Sequence, residues 1–260
     1  MADRRPFLHV RDVSKTFVID NERIDALHKV ELIVGKGEFV CLIGASGCGK
    51  STLLRIVAGF EQPTSGDVRV YDAPITGPGS DRGMVFQDYA LFPWMTVRQN
   101  VAFGPLQKGL KEAHDIAGKY LEMVGLTKFA DRFPYQLSGG MKQRVAIARV
   151  LANEANILLM DEPFGALDAL TREQLQDELL EIWARTQVTI LFVTHSVEEA
   201  TLLADRVVVM TAGPGRIESD NPVRLRRPRD VSAPDFNEVR RTLTQKLTSH
   251  VSRRQLKTAA

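Results

Sequence analysis

Short apolar runs recur along the chain, each bounded by glycine, proline or charge. Three open it: Phe7–Val13, Glu31–Val34 and Phe39–Ile43. The third is continuous and ends in glycine, the pattern of a strand buried on both faces. A glycine-rich turn and helical periodicity over Ser51–Ala58 follow it. Val68–Tyr71 and Gly83–Phe86 read as strands, with Gly77-Pro78-Gly79 as a turn between them. From about Tyr89 to Ala152 the pattern changes: Lys111–Val124 and Gly140–Leu151 read as helices with no strand between them. Strand-like runs return at Ile157–Met160, Thr189–Val193 and Val207–Met210, separated by helical stretches at Thr171–Arg185 and Val197–Ala204. Strands alternating with helices predict an α/β fold with a mainly parallel sheet, into which the helical block is inserted. The last forty residues, rich in Arg and Pro as in Arg224-Leu225-Arg226-Arg227-Pro228-Arg229, predict an appended loop and helix.

Composition narrows the class. The 260 residues are 44% hydrophobic and 25% charged, enough apolar material for a packed core and too much for a disordered chain. A formal charge of +2 creates no field that would draw nucleic acid, so no nucleic-acid partner is expected. Two cysteines, Cys41 and Cys48, are too few for a disulfide framework, which makes a reducing compartment the default and leaves Cys48 no redox role. No apolar run approaches the about 20 residues of a membrane helix. Residues Met1–Val10 hold arginines but no long apolar stretch, so no signal peptide is expected. The reading is a soluble protein, or one held at a membrane by a partner.

Candidate chemistry begins directly after the third strand. Gly44-Ala45-Ser46-Gly47-Cys48-Gly49-Lys50-Ser51 has the spacing G-x-x-x-x-G-K-S, between a strand and a helix. Glycines let the backbone wrap phosphate oxygens, and its N–H groups together with the helix N-terminus attract an anion. Lys50 would reach the β- and γ-phosphates and the Ser51 hydroxyl would ligate Mg²⁺. Asp161 and Glu162 follow the strand Ile157–Met160 at its C-terminal end, where ligands sit in open α/β sheets. Asp161 suits a Mg²⁺ partner, directly or through water; Glu162 suits a general base for an attacking water. A solvated or helix-capping acidic pair is the other reading of those two. Leu137-Ser138-Gly139-Gly140-Met141-Lys142-Gln143-Arg144, at a helix start, offers a second set of hydroxyl and N–H groups to phosphate. One nucleotide does not need two cradles in one chain, so this one would serve the nucleotide of a second copy.

At this point the sequence resembles the ATP-binding subunits of ABC transporters over nearly its whole length. Gly44–Ser51 matches the family's Walker A motif, Leu137–Gln143 its signature, and Ile157–Asp161 its Walker B motif, with Glu162 at the catalytic glutamate. Gln87 is similar to the Q-loop glutamine, Ala166-Leu167-Asp168 to the D-loop, and His195 to the switch histidine. Met141 stands where the family more often has glutamine. The resemblance implies a P-loop NTPase core of the ABC ATPase type, with N-terminal antiparallel strands, over 1–88 and 153–220. It implies a helical signature subdomain over 89–152 and a C-terminal tail over 221–260. ATP and Mg²⁺ are the implied ligands. Phe17 would stack on adenine, a core aromatic being the alternative. Gly44, Ala45, Ser46, Gly47, Cys48, Gly49, Lys50, Ser51 and Thr52 would hold the nucleotide, with Ser138, Gly139, Gly140 and Asp168 reaching it in a second copy. Ser51, Gln87 and Asp161 would hold the metal; Glu162, His195 and Gln87 would act in hydrolysis. Taken alone, Gln87 reads as a surface glutamine and His195 as a structural histidine; their order among the other motifs is what points to a role. The implied partners are a second ATPase chain, identical or closely related, integral-membrane permease subunits, and a periplasmic or lipid-anchored substrate-binding protein. The implied location is peripheral, on the cytoplasmic face of the inner membrane.

Further stretches narrow the resemblance to importers of nitrate, sulfonates, taurine and bicarbonate: Gly77–Gly83, Phe92-Pro93-Trp94, Thr171–Gln174, Gly213–Arg216 and Arg227–Asp230. Phe92 and Trp94 would face the permease, Trp94 as an interface anchor; local core packing is the alternative. The basic tail could touch lipid headgroups or the permease, or be a solvated face. No effector domain is expected after Ile217. A soluble ABC ATPase in cofactor assembly, or an importer of another small organic solute, stays open beside the anion importer.

Overall fold

A computed structural model describes residues 7–258, with side chains through 248. Parts of the N-terminal stretch and of the tail considered above, residues 1–6 and 259–260, lie outside the described residues. The chain divides into two compact units, Met1–Pro78 with Leu191–Ala260, and Gly79–Ile190.

The first unit opens with a hairpin longer than its apolar runs suggest. β1 (Leu8–Ile19) and β2 (Glu22–Val34) pair antiparallel. Asp20 and Asn21 turn between them at φ 50° and 63°, the left-handed pair that a tight hairpin uses. Polar residues and register shifts near Val13 and Lys15 break the alternation, which is why the sequence predicts only Phe7–Val13 and Glu31–Val34. β4 (Ser65–Val70) and β5 (Ala73–Pro74) complete this antiparallel sheet in the order β2-β1-β4-β5.

β3 (Phe39–Gly44) is buried along its whole length, as a continuous apolar run between layers must be, and leads into α1 (Lys50–Ala58). β9 (Arg206–Thr211) runs parallel to β3, and β10 (Arg216–Pro222) pairs antiparallel with β9. β10 is a further difference from the sequence reading: an edge strand of polar residues carries no apolar signal. α6 (Val197–Leu203) and α7 (Pro234–Thr258) belong to the same unit. Phe236 and Leu243 bury α7's apolar face.

The second unit holds the parallel pair β6 (Arg82–Val85) and β7 (Ile157–Asp161). β8 (Thr189–Val193), fully buried, is the strand along which the chain leaves this unit. Between β6 and β7 lie α2 (Val97–Gln107), α3 (Ala113–Met123) and α4 (Gly139–Ala152), which pack on one another through Val101, Ala102, Ala117, Leu121, Val145 and Ala148. α2 is absent from the sequence reading. Its Gly104-Pro105 looks like a breaker, yet a reciprocal cap starts the helix: Gln99 N donates to Thr96 Oγ1 and Thr96 N to Gln99 Oε1. α5 (Ala169–Thr186) follows β7. The expected α/β fold, with N-terminal antiparallel strands, parallel strands and inserted helices, is the fold observed.

Candidate functional site

In the first unit the chain turns sharply at the end of β3. A Cβ at Gly44 would lie 2.6 Å from both Cys48 Sγ and the Met210 carbonyl oxygen, so no side chain fits there. Gly49, at φ 87°, has Leu27 Cδ2 at 2.5 Å from where a Cβ would be. The loop closes through Cys48 N donating to Ala45 O at 3.2 Å. Lys50 is only 6% exposed; its ammonium folds back over the loop, donating to Gly44 O at 2.8 Å and Ala45 O at 3.1 Å. α1 starts with no side-chain cap and no acidic residue in its first turn. A helix N-terminus with no side-chain cap and no acidic residue, beside a buried cation folded over the loop, suits an anion from outside. Ala45, Ser46 and Gly47 are exposed, Ser51 and Thr52 half-buried.

Two further parts of this unit meet the loop. Gly215 donates from N to Ala26 O at 3.0 Å, and a Cβ on it would be 2.2 Å from Cys48 O. The Gly213–Arg216 stretch is thus a wall of the loop, a structural role that the sequence leaves unstated. Leu27, which packs on Gly49, is the register partner of Lys15 in β1, and the Lys15 ammonium stands 4.8 Å over the Phe17 ring. Phe17 is half-buried, so it is no core aromatic. His195 is exposed between β8 and α6. Thr194 N donates to Leu42 O of β3, at 3.2 Å, which ties the start of that turn to the strand before the loop. Burial pushes the Cys41 thiol well above its ordinary range, leaving it inert.

The second unit gathers the remaining candidates. Asp161 ends β7 and Glu162 follows at φ 46°, a left-handed conformation uncommon outside glycine. Gly165 N donates to Glu162 O at 3.1 Å, forming a tight turn. A Cβ on Gly165 would stand 3.5 Å from Gln87 Nε2, so the Gln87 side chain lies along the turn that carries Glu162. Asp168 caps α5, accepting from Thr171 N at 3.0 Å and Thr171 Oγ1 at 2.7 Å; these bonds hold its carboxyl below the usual range. Ser138 caps α4, accepting from Met141 N at 3.3 Å. Room at Gly139 is limited by Leu167 and the Tyr89 hydroxyl, each 3.2 Å from a Cβ there, and at Gly140 by Thr171 at 3.1 Å. Gln87, Glu162, Asp168 and Ser138–Gly140 therefore sit on interlocked turns.

The segment after Gln87 is held by residues that sequence reasoning missed. Tyr89 and Ala90 both have positive φ, and Arg149 of α4 donates to their carbonyls at 3.3 and 2.7 Å while its guanidinium lies 5.5 Å over Phe92. Burial lowers the Arg149 pKa, so these bonds are poorly replaced by water. Buried Asn100 accepts from Phe92 N at 2.9 Å and donates to the carbonyls of Phe92, Met95 and Thr96. Phe92 packs on Phe103, and Trp94 is 70% exposed. Core packing is therefore excluded for Trp94. In the tail, Arg227 and Arg229 do not form a free basic face: both guanidiniums bond backbone carbonyls of residues 201–204. Arg224 and Arg226 are exposed.

Among the described residues no group of three or more His, Cys, Asp or Glu is arranged to hold a metal. The candidate metal donors, the Ser51 hydroxyl, the Asp161 carboxylate and the Gln87 amide, offer hard oxygens. Oxygen donors of this kind suit Mg²⁺, a hard cation.

A family profile described as ABC transporter matches residues 27–165. The nitrate import ATP-binding protein of Synechocystis is 53% identical over 220 residues, 84% of this chain and 83% of the relative. The taurine import ATP-binding protein of Roseobacter denitrificans is 50% identical over 216 residues, 82% of this chain and 81% of that one. An ATP-binding cassette solved as a dimer in a post-hydrolysis state, with ADP and Pi bound, superposes with a TM-score of 0.73 at 34% identity, covering 84% of this chain and all of the cassette. This chain belongs to the ATP-binding proteins of ABC transporters and is an ATPase of that family.

Proposed function

We propose that the chain powers an importer for a small anion such as nitrate, an alkanesulfonate, taurine or bicarbonate, by hydrolysing ATP at the cytoplasmic face of the inner membrane. The N-terminus of α1 without a side-chain cap, with Lys50 folded over its loop, is the observation that carries this reading: it is a phosphate cradle in a chain whose relatives at about half identity are import ATP-binding proteins. Gly44–Thr52 bind the triphosphate and Phe17 stacks on the base. Ser51, Gln87 and Asp161 would hold Mg²⁺, which would supply positive charge against the phosphate oxygens. Glu162 accepts the proton of the attacking water as the bond from the γ-phosphorus to its bridging oxygen breaks and ADP leaves. His195 hydrogen-bonds the γ-phosphate and orients that water. Positioning and electrostatics supply most of the rate.

Functionally, 1–88 with 153–220 act as the nucleotide core, 89–152 as the signature subdomain and 221–260 as the tail. Ser138–Gly140 and Asp168 serve the nucleotide of a second copy, or of a closely related chain, so ATP joins two chains. Phe92 and Trp94 meet the permease, which works with a periplasmic or lipid-anchored binding protein. Relatives of similar identity carry nitrate and taurine names, so cargo is read by those partners and not by this chain.

The test is Glu162→Gln. The variant should bind Mg²⁺-ATP, lose turnover by about 10²-fold or more, and accumulate as a dimer in light scattering. A variant that stays monomeric at saturating Mg²⁺-ATP would refute the shared-site reading.

A further inference from the structure

α6 begins two residues after His195 and is only seven residues long. A helix so short has little stability of its own. No glycine closes it, and its C-cap residue Ala204 is extended. The last four carbonyls of a helix lack internal partners, yet here each has one. Ala204 N donates to Ala200 O at 3.1 Å. Arg229 Nη1 donates to Thr201 O at 2.7 Å, to Leu202 O at 3.0 Å and, beyond the helix, to Ala204 O at 2.7 Å. Arg227 takes Leu203 O with Nη2 and Asp205 Oδ1 with Nη1. The helix that follows the switch histidine is thus closed by two arginines from the tail, and Arg229 is 28 residues downstream of the first carbonyl it binds.

The other end of α6 is pinned as well. Ser196 N donates to Thr194 Oγ1 at 3.0 Å, and Ser196 Oγ accepts from Glu199 N at 3.2 Å, which leaves His195 on a one-residue bridge between strand and helix. Arg240 of α7 donates to Glu198 Oε2 at 2.7 Å, a pair exposed on both sides and so weak by itself. Arg229 is the strong point of the clamp. Burial lowers its pKa to about 10, so it stays charged at neutral pH, and its buried donors have no ready substitute in water. Nη1 alone takes the carbonyls at the end of α6, while Nη2 reaches Val223 O and Leu225 O and Nε reaches Leu225 O at 3.4–3.5 Å; a single lysine ammonium could not bridge both groups of carbonyls.

We infer that Arg229, with Arg227 and Arg240, is a positioning residue for His195, so that the C-terminal segment sets the hydrolysis rate by fixing how α6 presents that side chain. The inference rests on the role proposed above for His195. A displacement of about 1 Å at a positioned group is enough to cost about a hundredfold in rate. The clamp therefore need not move far to matter.

The experiment uses the full chain and measures kcat and KM for Mg²⁺-ATP together with Tm, for Arg229→Lys in the wild-type and the His195→Ala backgrounds. Arg229→Lys should lower kcat about tenfold, change KM by less than about twofold and keep a single cooperative unfolding transition. In the His195→Ala background it should lower the residual kcat no further. An equal loss in both backgrounds, a joint change of kcat and KM, or an unchanged kcat would overturn the inference alone. A His195→Ala protein with the full wild-type rate would overturn the role of His195 and the inference with it. If Arg229→Lys fails to fold, the exposed pair serves instead. Arg240→Glu should lower kcat about twofold, and Arg240→Glu with Glu198→Arg should restore it; no loss, or no rescue, would count against the clamp.

Discussion

Asn100 shows how one buried amide can present a functional surface. Its side chain accepts one backbone N–H and donates to three carbonyls in Phe92–Thr96, so the turn carrying Pro93 and Trp94 is held from below. Trp94 can then stand in solvent without the loop collapsing onto it. Replacing Asn100 by alanine leaves Phe92 N and up to three carbonyls to find water at a partly buried site. Asn100→Ala should cost about 2 kcal/mol, or several degrees of Tm, from one or two such groups left unmet. Calorimetry checks the magnitude. The fluorescence anisotropy of Trp94, read in a Trp183→Phe background, should fall as the turn loosens. A fall in Tm with unchanged anisotropy would mean that Asn100 supports α2 and not the turn. Arg149 acts in the same way on Tyr89 and Ala90, whose positive φ values are strained without its bonds.

Among the elements, α5 offers a titratable handle. Asp168 caps it through Thr171 N and Oγ1, and these bonds hold the carboxyl below its ordinary range. A carboxyl depressed in the folded state stabilises fully above its unfolded pKa, of about 4, and loses that contribution as pH falls through the folded value. Asparagine keeps a cap but carries no charge. The urea midpoint of Asp168→Asn should therefore lie below wild type at pH 7, and the gap should narrow below about pH 4. A gap that stays constant from pH 7 to pH 3 would show that charge has no part in the cap. The same scale decides what was legible beforehand. The unit of β3, loop and α1 stands out because a wholly apolar run, a fixed glycine spacing and a lysine coincide within thirteen residues, Phe39–Ser51. β7 with Asp161 and Glu162, and the start of α4 at Ser138, are equally local signals. The polar edge strand β10, helix α2 with its internal Gly104-Pro105, and the full β1–β2 hairpin carry none. The Arg229 clamp, the Asn100 staple and Gly215 against the phosphate loop join residues far apart in the chain through backbone groups, which no local pattern encodes.

At the scale of the whole molecule, an import ATPase must pass its motion to something in the membrane. Among the described residues no helix is long and apolar enough to cross one; the permease proposed above is the partner that would receive the motion. Its contact has to be a surface that an isolated chain leaves uncovered. Trp94, 70% exposed on a turn braced by Asn100 and Phe92, has the character of an interface anchor: large, rigid and costly to leave in water. Its turn is continuous with the segment that Arg149 ties to α4, whose cap Ser138 and first residues Gly139 and Gly140 belong to the shared nucleotide site proposed above. A force on Trp94 thus has a covalent and hydrogen-bonded path, along α4, to the signature turn inside one unit. Trp94→Ala should leave nucleotide affinity within about twofold, because Trp94 is not among the residues proposed to bind the nucleotide, and should weaken permease association by about 2 kcal/mol or more, the loss expected of an anchor. Tagged wild-type and variant chains purified from native membranes in mild detergent separate these outcomes. A multi-span permease should accompany the wild type and be depleted with Trp94→Ala. Equal recovery with both would move the docking surface elsewhere, and recovery of soluble proteins alone would favour a soluble ABC ATPase over an importer subunit.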